Sequence, residues 1–487
     1  MKATSIFGGV QAINIVIAII RSKVIAVLLG PAGIGIAGLL TSTTGFIGAL
    51  TNFGLGTSAV KNVSEANATE NPKRVSVIIT VLRRLVWITG LLGSMVTIAL
   101  SAWLSKITFG NYDYTFSFIW ISVSLLINQL SSGQLILLQG LRRLKLLAKA
   151  NLAGSISGLV VTVPLYYFFG IQGIVPAIIL TAFFTLLGSW FFARKIKFEK
   201  TNISPAQTIA EGKDMLVMGF MISLSGMIAL GVSYLVRIFI SNTGGIEQVG
   251  LYNAGFAVVN GYVGLVFTAL STDYYPRLAA VASDNKESKK QINQQAEIAF
   301  LILAPILIIF LVFINWIVIL LYSSKFIPVT DMILWAGMGM FFKAGSWAIA
   351  YLFLAKGASR LFFWNELLAN VYVLLFNILG YHYYGLTGLG ASFLMVYMVY
   401  LFQVFVISRV KYNFSFSKET SLIFLLQLTM IVSTFLVSRL VPGNYKYIPY
   451  AIIFLISAAY SYNELNKRLD FQGLISAYKE RWLNKNK

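Results

Sequence analysis

The chain alternates long apolar segments with short polar ones. An apolar helix of about 20 residues is long enough to cross the ~30 Å hydrocarbon core of a bilayer. In lipid the backbone groups of a span must pair within that span, so these segments are predicted to be α-helices. The pattern predicts fourteen spans, at 4–29, 32–58, 80–104, 115–139, 147–169, 172–193, 215–240, 248–273, 296–322, 329–355, 361–380, 386–408, 420–440 and 447–463.

The composition agrees with an all-α integral membrane protein. Of the 487 residues, 57% are hydrophobic and 11% are charged, whereas about a quarter of the residues in soluble domains are charged. The chain has no cysteine, which excludes disulfides and thiolate metal sites. The first apolar run lacks a small-residue cleavage site, so it is interpreted as a membrane helix and not as a removed signal peptide.

The basic residues follow the connections between the predicted spans. With the N-terminus inside, thirty Lys and Arg residues fall on the inner side and four on the outer side. This asymmetry predicts that both termini are cytoplasmic. Because the net charge of +21 is spread over these connections, it is not interpreted as a nucleic-acid-binding surface. Four cations remain within predicted spans: Arg21, Lys23, Arg237 and Lys343.

The sequence matches itself at an offset near 215 residues. The stretch "YYFFGIQGIVPA" (166–177) reappears as "YHYYGLTGLGAS" (381–392), with Gly170 over Gly385. Six predicted spans separate the copies, so both copies enter the membrane in the same direction. Parallel repeats of this kind are related by a pseudo-two-fold axis along the membrane normal.

A second match lies upstream of the first in both copies. The stretch "LLQGLRRL" (137–144) aligns with "LAKGASRL" (354–361), and Arg143 falls on Arg360 if the alignment slips by two residues. The repeat predicts an N-lobe of spans 1–6 and a C-lobe of spans 7–12, with two further spans and an amphipathic cytoplasmic tail. The predicted boundaries are 1–194 for the N-lobe, 195–213 for a cytoplasmic linker, 214–410 for the C-lobe, 411–464 for spans 13 and 14, and 465–487 for the tail.

Three stretches resemble a known family. They are "AIIRSKVIAVLLGPAGIGIAGLLTS", "NFGLGTSAVKNVSEA" and "YYFFGIQGIVPAIILT". They resemble the polysaccharide-transport branch of the multidrug/oligosaccharidyl-lipid/polysaccharide flippase superfamily, and most of all the bacterial O-antigen (lipid-linked oligosaccharide) flippases. The resemblance covers residues 1 to about 410.

The resemblance implies two six-helix lobes around a central, cation-lined cavity. It also implies alternating access that carries an undecaprenyl-pyrophosphate-linked oligosaccharide from the inner to the outer leaflet of the bacterial inner membrane. The implied partners are the bilayer, the lipid-linked oligosaccharide and, as further candidates, a polysaccharide polymerase and assembly machinery. No cofactor is expected apart from H⁺ or Na⁺ coupling.

The cations within spans are the candidate ligand-binding residues. A Lys or Arg at the bilayer centre costs ~3 kcal/mol on insertion scales unless it meets water, an acid or a ligand. Glu366 is the only carboxylate well inside a predicted span, so positive charge is left uncompensated. Guanidinium can bind two phosphate oxygens at once. We therefore expect Arg21, Arg237 and Lys343 to bind pyrophosphate; Lys23 is a fourth candidate, with snorkelling to the outer interface as its alternative.

Other polar residues carry weaker predictions. Lys61 and Arg277 correspond at an offset of 216 and are interpreted either as a cytoplasmic clamp that admits the ligand or as positive-inside anchors. Glu366 is the candidate residue for proton or sodium coupling. Six amide residues within spans are interpreted as helix–helix hydrogen bonds, with sugar contacts as the alternative. They are Asn52, Asn128, Gln129, Asn260, Asn365 and Asn370.

Three functions rival transport of a lipid-linked oligosaccharide: an enzyme that acts on the same lipid carriers, a multidrug exporter and a lipid II-type flippase. A membrane glycosyltransferase would need paired carboxylates for a metal, and the sequence contains no D-x-D; a polymerase or ligase would be expected to carry a large outer loop, and none is predicted. A multidrug exporter of the same superfamily would be expected to use carboxylates in its cavity. A lipid II-type flippase also carries a pyrophosphate lipid and stays open as an alternative.

Overall fold

The computed structural model describes residues 2–69, 71–196, 198, 201 and 203–469, and within these ranges the regular structure is helical with no strand. The α-helices are α1 (Lys2–Thr51), α2 (Leu55–Ala68), α3 (Pro72–Ala99), α4 (Ser101–Phe109), α5 (Thr115–Gly140), α6 (Leu144–Phe169), α7 (Ile174–Ala193), α8 (Pro205–Gly244), α9 (Ile246–Phe256), α10 (Leu265–Ala280), α11 (Asn285–Val312), α12 (Ile314–Leu321), α13 (Thr330–Ala355), α14 (Ser359–Tyr412), α15 (Lys418–Leu440) and α16 (Tyr447–Leu469).

The predicted class of all-α, multi-pass membrane protein is confirmed. In the described part of the chain, ten helical segments are long and apolar enough to cross a bilayer. Three of them span 39, 50 and 54 residues, about twice the ~20 residues of one crossing. Each is interrupted at a glycine with positive φ, at Gly30, Gly170 and Gly385. The count of fourteen spans stays a prediction.

The backbone conformation at the glycine breaks is the same in the two copies of the repeat. Gly170 has φ 54° and ψ −131°, and Gly385 has φ 56° and ψ −138°. Side chains with a Cβ avoid this region, so the conformation itself requires glycine. Gly30 (φ 66°) and Gly245 (φ 87°) form a second pair at the same offset of 215.

The turn before α6 recurs before α14. The amide of Arg143 donates to the Leu138 carbonyl at 2.8 Å, and the amide of Ala358 donates to the Phe353 carbonyl at 2.9 Å. Both are the long bond of a Schellman motif, which closes a helix C-terminus through one left-handed residue. That residue is Arg142 (φ 56°) in the first copy and Gly357 (φ 66°) in the second.

The predicted slip of two residues is therefore wrong. The offset is 215 throughout this turn, so Arg143 corresponds to Ala358 and not to Arg360. The sequence alignment was misled because it paired Gly140 with Gly357, whereas the left-handed position of the first copy is occupied by an arginine.

Packing divides the chain into two compact units. The first comprises residues 1–253 with 319–326, and the second comprises 254–318 with the residues from 327 onward. In the first unit, α8 packs on α1, α2, α3 and α4. A Cβ added to Gly219 of α8 would lie 2.4 Å from the Phe53 carbonyl oxygen, so close packing joins α8 to the bend between α1 and α2. The repeat instead predicts that α8 begins the second lobe, and the lobe boundaries stay a prediction.

The second half of the predicted linker 195–213 is helical, because α8 begins at Pro205; the linker itself stays a prediction. The Ser204 side chain accepts a hydrogen bond from the Gln207 amide at 3.1 Å, and proline occupies the first helical position. Serine followed by proline is a typical helix start. At the other end of the chain, α16 continues to Leu469, and 470–487 of the predicted amphipathic tail lie outside the described residues.

In the second unit, α15 and α16 are joined to α11 by a buried polar cluster. The Glu297 carboxylate accepts hydrogen bonds from Arg468 Nε at 2.7 Å and from the Thr420 hydroxyl at 2.6 Å. Arg468 also pairs with Glu464 one turn earlier on α16. Each of the three helices supplies one partner, so the cluster fixes how they pack together.

The repeated glycine conformation can be tested by substitution. Gly170→Ala and Gly385→Ala should each lower the free energy of unfolding by about 1–3 kcal/mol, because alanine is strained at positive φ. Gly226→Ala in α8 is the control, since no atom lies within 4 Å of its added Cβ and alanine favours a helix. Thermal unfolding in detergent measures the difference. Equal tolerance of alanine at all three positions would contradict the assignment.

The polar cluster predicts that replacing two neighbouring residues of α16 will change the stability of the protein by unequal amounts. Arg468→Ala should destabilise the protein by about 3–5 kcal/mol, because it leaves the buried Glu297 carboxylate without its cation. Lys467→Ala is the control: its side chain is 69% exposed in its ion pair with Glu464, and exposed pairs contribute ~0–1 kcal/mol. Similar shifts of the melting temperature for both variants would show that the cluster does not anchor α16.

Candidate functional site

The four cations predicted within spans have no acidic partners in the described part of the chain. Seven side-chain ion pairs occur there, and none includes these cations. Arg21, Lys23 and Arg237 belong to the first unit, and Lys343 belongs to the second. Their positive charge is left uncompensated by carboxylates, as the sequence indicated.

Arg237 on α8 is held only by neutral groups. Its Nε donates to Asn253 Oδ1 at 2.8 Å, and its Nη1 donates to the Ser233 carbonyl at 2.9 Å and to the Ser233 hydroxyl. The Tyr252 ring centroid lies 5.7 Å from the guanidinium carbon. Among the described residues no acceptor bonds to Nη2. The guanidinium is thus oriented by uncharged partners, none of which offsets its positive charge.

Asn253 reaches Arg237 because α1 makes room for it. A Cβ added to Gly38 would lie 2.1 Å from Asn253 Nδ2, so only glycine fits there. Asn253 Nδ2 is itself buried and has no hydrogen-bond partner among the described atoms. The close fit against α1 thus fixes the amide so that its Oδ1 faces Arg237.

Arg21 and Lys23 lie two residues apart on α1 but have different surroundings. Arg21 Nη1 lies 3.5 Å from where a Cβ of Gly158 on α6 would be, and within residues 13–469 the structure records no hydrogen bond to its guanidinium. Lys23 Nζ donates to the Ile319 carbonyl at 2.7 Å, in the last turn of α12. Carbonyls at a helix C-terminus lack intrahelical partners and attract cations. Lys23 thus has a structural role beside its predicted ligand role.

Lys343 on α13 is surrounded by aromatic rings. Its Nζ donates to Asn260 Oδ1 at 3.2 Å, so Asn260 forms the helix–helix hydrogen bond that the sequence suggested. Three ring centroids lie within the ~6 Å range of cation–π attraction. They belong to Tyr397 at 5.2 Å, Phe267 at 5.7 Å and Phe393 at 6.0 Å. These rings stabilise the ammonium without neutralising it.

Glu366 on α14 has only neutral partners among the described residues. The Tyr400 hydroxyl donates to Oε1 at 2.5 Å, and Asn365 Nδ2 donates to the same oxygen at 3.3 Å. Gln403 in turn donates to Asn365 Oδ1 at 2.7 Å and holds that amide in place. These hydrogen bonds hold the carboxylate without an ion pair in the described structure, and its role in coupling stays a prediction.

Lys61 and Arg277 are both exposed and lie in different units. Lys61 pairs with Glu65 at 3.6 Å, and Arg277 pairs with Asp273 at 2.8 Å, each with a carboxylate four residues away on its own helix. Lys61 borders a cavity of about 850 Å³ in the first unit. The structure does not bring these two cations together within one unit, and the clamp stays a prediction.

Three of the six predicted amides meet in one cavity of the first unit. This cavity of about 490 Å³ is lined by α1, α3, α5, α7 and α8, and none of its lining residues is charged. Asn52, Asn128 and Gln129 share it with several threonine and serine hydroxyls. The sequence placed Asn52 in one span and the adjacent Asn128 and Gln129 in another, and it gave no sign that these two spans meet here.

The chain is similar in sequence to proteins of a known family. Residues 24–331 match the family described as "Polysaccharide biosynthesis protein". The chain is 21% identical to the lipid III flippase of Escherichia coli (strain K12) over 388 residues. The matched region covers 78% of this chain and 90% of that protein.

Two solved structures share the fold over most of their length. The lipid II flippase MurJ in an inward closed conformation superposes with a TM-score of 0.71 at 12% identity, over 94% of this chain and 99% of that one. An inward-facing multidrug resistance MATE family transporter of the MOP superfamily gives a TM-score of 0.69 at 15% identity, over 82% and 94%. Together with the family match, these likenesses confirm the resemblance to this superfamily that the sequence motifs indicated.

Proposed function

The chain belongs to the polysaccharide biosynthesis protein family, and from this premise we propose that it is a flippase for undecaprenyl-pyrophosphate-linked oligosaccharide, such as an O-antigen repeat unit. It moves this lipid from the inner to the outer leaflet of the bacterial inner membrane, with both termini in the cytoplasm. The similarity of the chain to a lipid III flippase and to a lipid II flippase supports a lipid-linked cargo.

The observation that carries this proposal is Arg237 with its neutral partners. A cation within a span is costly, and here Asn253 and Ser233 orient the guanidinium without cancelling its charge. Arg21 adds a second guanidinium in the same unit. Pyrophosphate offers several acceptor oxygens, which suit paired guanidinium contacts.

The surplus of positive charge also separates this function from multidrug export. A transporter of cationic drugs needs carboxylates at its site, whereas the described span cations face amides, carbonyls and aromatic rings. Glu366, the candidate coupling residue, is hydrogen-bonded to Tyr400 and Asn365. We propose that the two repeats, 1–194 and 214–410, act as the lobes that alternate access.

Replacing Arg237 tests the proposal most directly. Arg237→Ala should reduce transport at least about tenfold, because charge-assisted hydrogen bonds contribute ~1.5–3 kcal/mol each. Arg237→Lys should restore transport only in part, since it keeps the charge and loses the planar two-donor geometry. Complementation of a flippase-null strain, read as surface polysaccharide, measures both variants, with protein level checked by immunoblot.

The matched control is Arg439→Ala, which removes an arginine paired with Asp331 at 38% side-chain exposure. It should transport as the wild type does. Normal surface polysaccharide from a variant with alanine at Arg21, Arg237 and Lys343 together would refute the role of the cations.

Glu366→Gln tests ion coupling. The amide cannot take up a proton or hold a cation with the same strength, so transport driven by a proton or sodium gradient should fall at least about tenfold. Reconstituted vesicles with an imposed gradient give the measurement, and Glu65→Gln at the exposed pair with Lys61 is the control. Unchanged gradient-driven transport in Glu366→Gln would exclude coupling through this residue.

A further inference from the structure

We propose that the uncharged cavity of the first unit is a subsite for the neutral sugars of the lipid-linked ligand, separate from the cations that take its pyrophosphate. The inference rests on the proposed function and adds the class of sugar. It assigns binding of sugar hydroxyls to six side chains. They are Thr41, Thr44, Asn52, Asn128, Gln129 and Ser132.

Two glycines without side chains leave the space that forms this cavity. Gly45 and Gly48 lie on α1 between Thr44 and Asn52, and no atom lies within 4 Å of a Cβ added to either. Larger side chains on this face would fill the space. With a volume of about 490 Å³, the cavity falls within the ~300–1,000 Å³ range of small-ligand pockets.

The hydroxyls on α1 are left with acceptor capacity. Thr41 donates to the Ala37 carbonyl at 2.6 Å, and Thr44 donates to the Leu40 carbonyl at 3.0 Å. Each donor is thus used within the helix, while the hydroxyl oxygen keeps lone pairs for an outside donor. A sugar hydroxyl can supply that donor.

The amides contribute unused donors and acceptors. Asn128 and Ser132 lie one turn apart on α5, and neither side chain has a hydrogen-bond partner among the described residues. Gln129 donates to the Thr89 hydroxyl at 3.0 Å, and its carbonyl oxygen is left over. The sequence predicted helix–helix hydrogen bonds for all three cavity amides. Within the described structure, Gln129 is the one that makes such a bond.

Polar groups without partners are costly inside membrane spans and are found where a cavity carries water or substrate. A sugar ring presents several hydroxyls, each able to donate and accept, and so matches a mixed set of hydroxyls and amides. Since no lining residue is charged, an acidic sugar would lose its hydration here without gaining an opposite charge. The lining therefore favours neutral sugars.

The test measures binding of three lipids to the purified full-length protein in nanodiscs. The probes are undecaprenyl pyrophosphate alone, the same lipid with a neutral tetrasaccharide, and the same lipid with one sugar replaced by a uronic acid. The wild type should bind the neutral glycolipid at least tenfold more tightly than the bare carrier, and more tightly than the acidic one. Asn128→Leu combined with Ser132→Ala should abolish most of this gain and leave binding of the bare carrier unchanged.

Two further variants keep the result clear. Gln134→Leu also removes an amide from α5, but Gln134 lines a separate, largely apolar cavity with Trp87 and Trp190, so it should bind all three lipids as the wild type does. Thr44→Val deletes a cavity hydroxyl without a change of shape and should also lower the gain in affinity for the neutral glycolipid. It provides the test if the double variant fails to fold.

The outcomes separate the two proposals. Failure of the wild type to bind any of the three lipids would refute the proposed function itself. If both cavity variants keep the wild-type preference for the neutral glycolipid, the subsite is overturned and the proposed function is not. Equal binding of neutral and acidic glycolipids by the wild type would overturn the assignment to neutral sugars.

Discussion

The low polarity of the bilayer core is the constraint on which the rest of the structure depends, because a charge placed there must be held by the fold. The protein holds its charges in two ways. At the inner ends of the predicted spans, Glu297 and Arg468 neutralise one another in a largely buried pair that joins three helices. Arg237, Lys23 and Lys343 meet amides, a helix C-terminus and aromatic rings, which orient the cations and leave their charge in place.

The same constraint acts on the backbone. Peptide groups freed where a helix ends cannot be satisfied by lipid, so the chain must turn between spans and not within them. Gly170 and Gly385 lie between predicted spans, and each permits a sharp reversal at the same register of its copy. Where the first copy has Arg142 in the left-handed position, the hydrogen bonds of a Schellman motif still close the turn. The backbone bonds thus preserve the repeat more faithfully than the side chains do.

This explains how much the sequence could predict. Helical spans, the four span cations and the glycine repeat follow from local patterns of length, charge and spacing, and the structure contains them. The start of α8 at Pro205 follows from the Ser-Pro pair, although the pattern of spans alone places this residue in a linker. The surroundings of the cations were not readable. Asn253 lies beyond a helix break from Arg237, and the rings around Lys343 come from residues far apart in the chain. No periodicity within one helix encodes such contacts.

The neutral surroundings of the cations also fit what a flippase has to do with its ligand. A site that carries a pyrophosphate across the membrane must release it on the far side, and every 1.4 kcal/mol of affinity changes the binding constant tenfold. If Arg237 were paired with a carboxylate, the anion would have to displace that partner. With Asn253 and Ser233 instead, the guanidinium is already oriented, and under the proposed function the anion would add contacts without breaking an ion pair. Under the proposed function, sugar contacts with uncharged hydroxyls and amides would add recognition in small steps, and the total affinity could stay moderate.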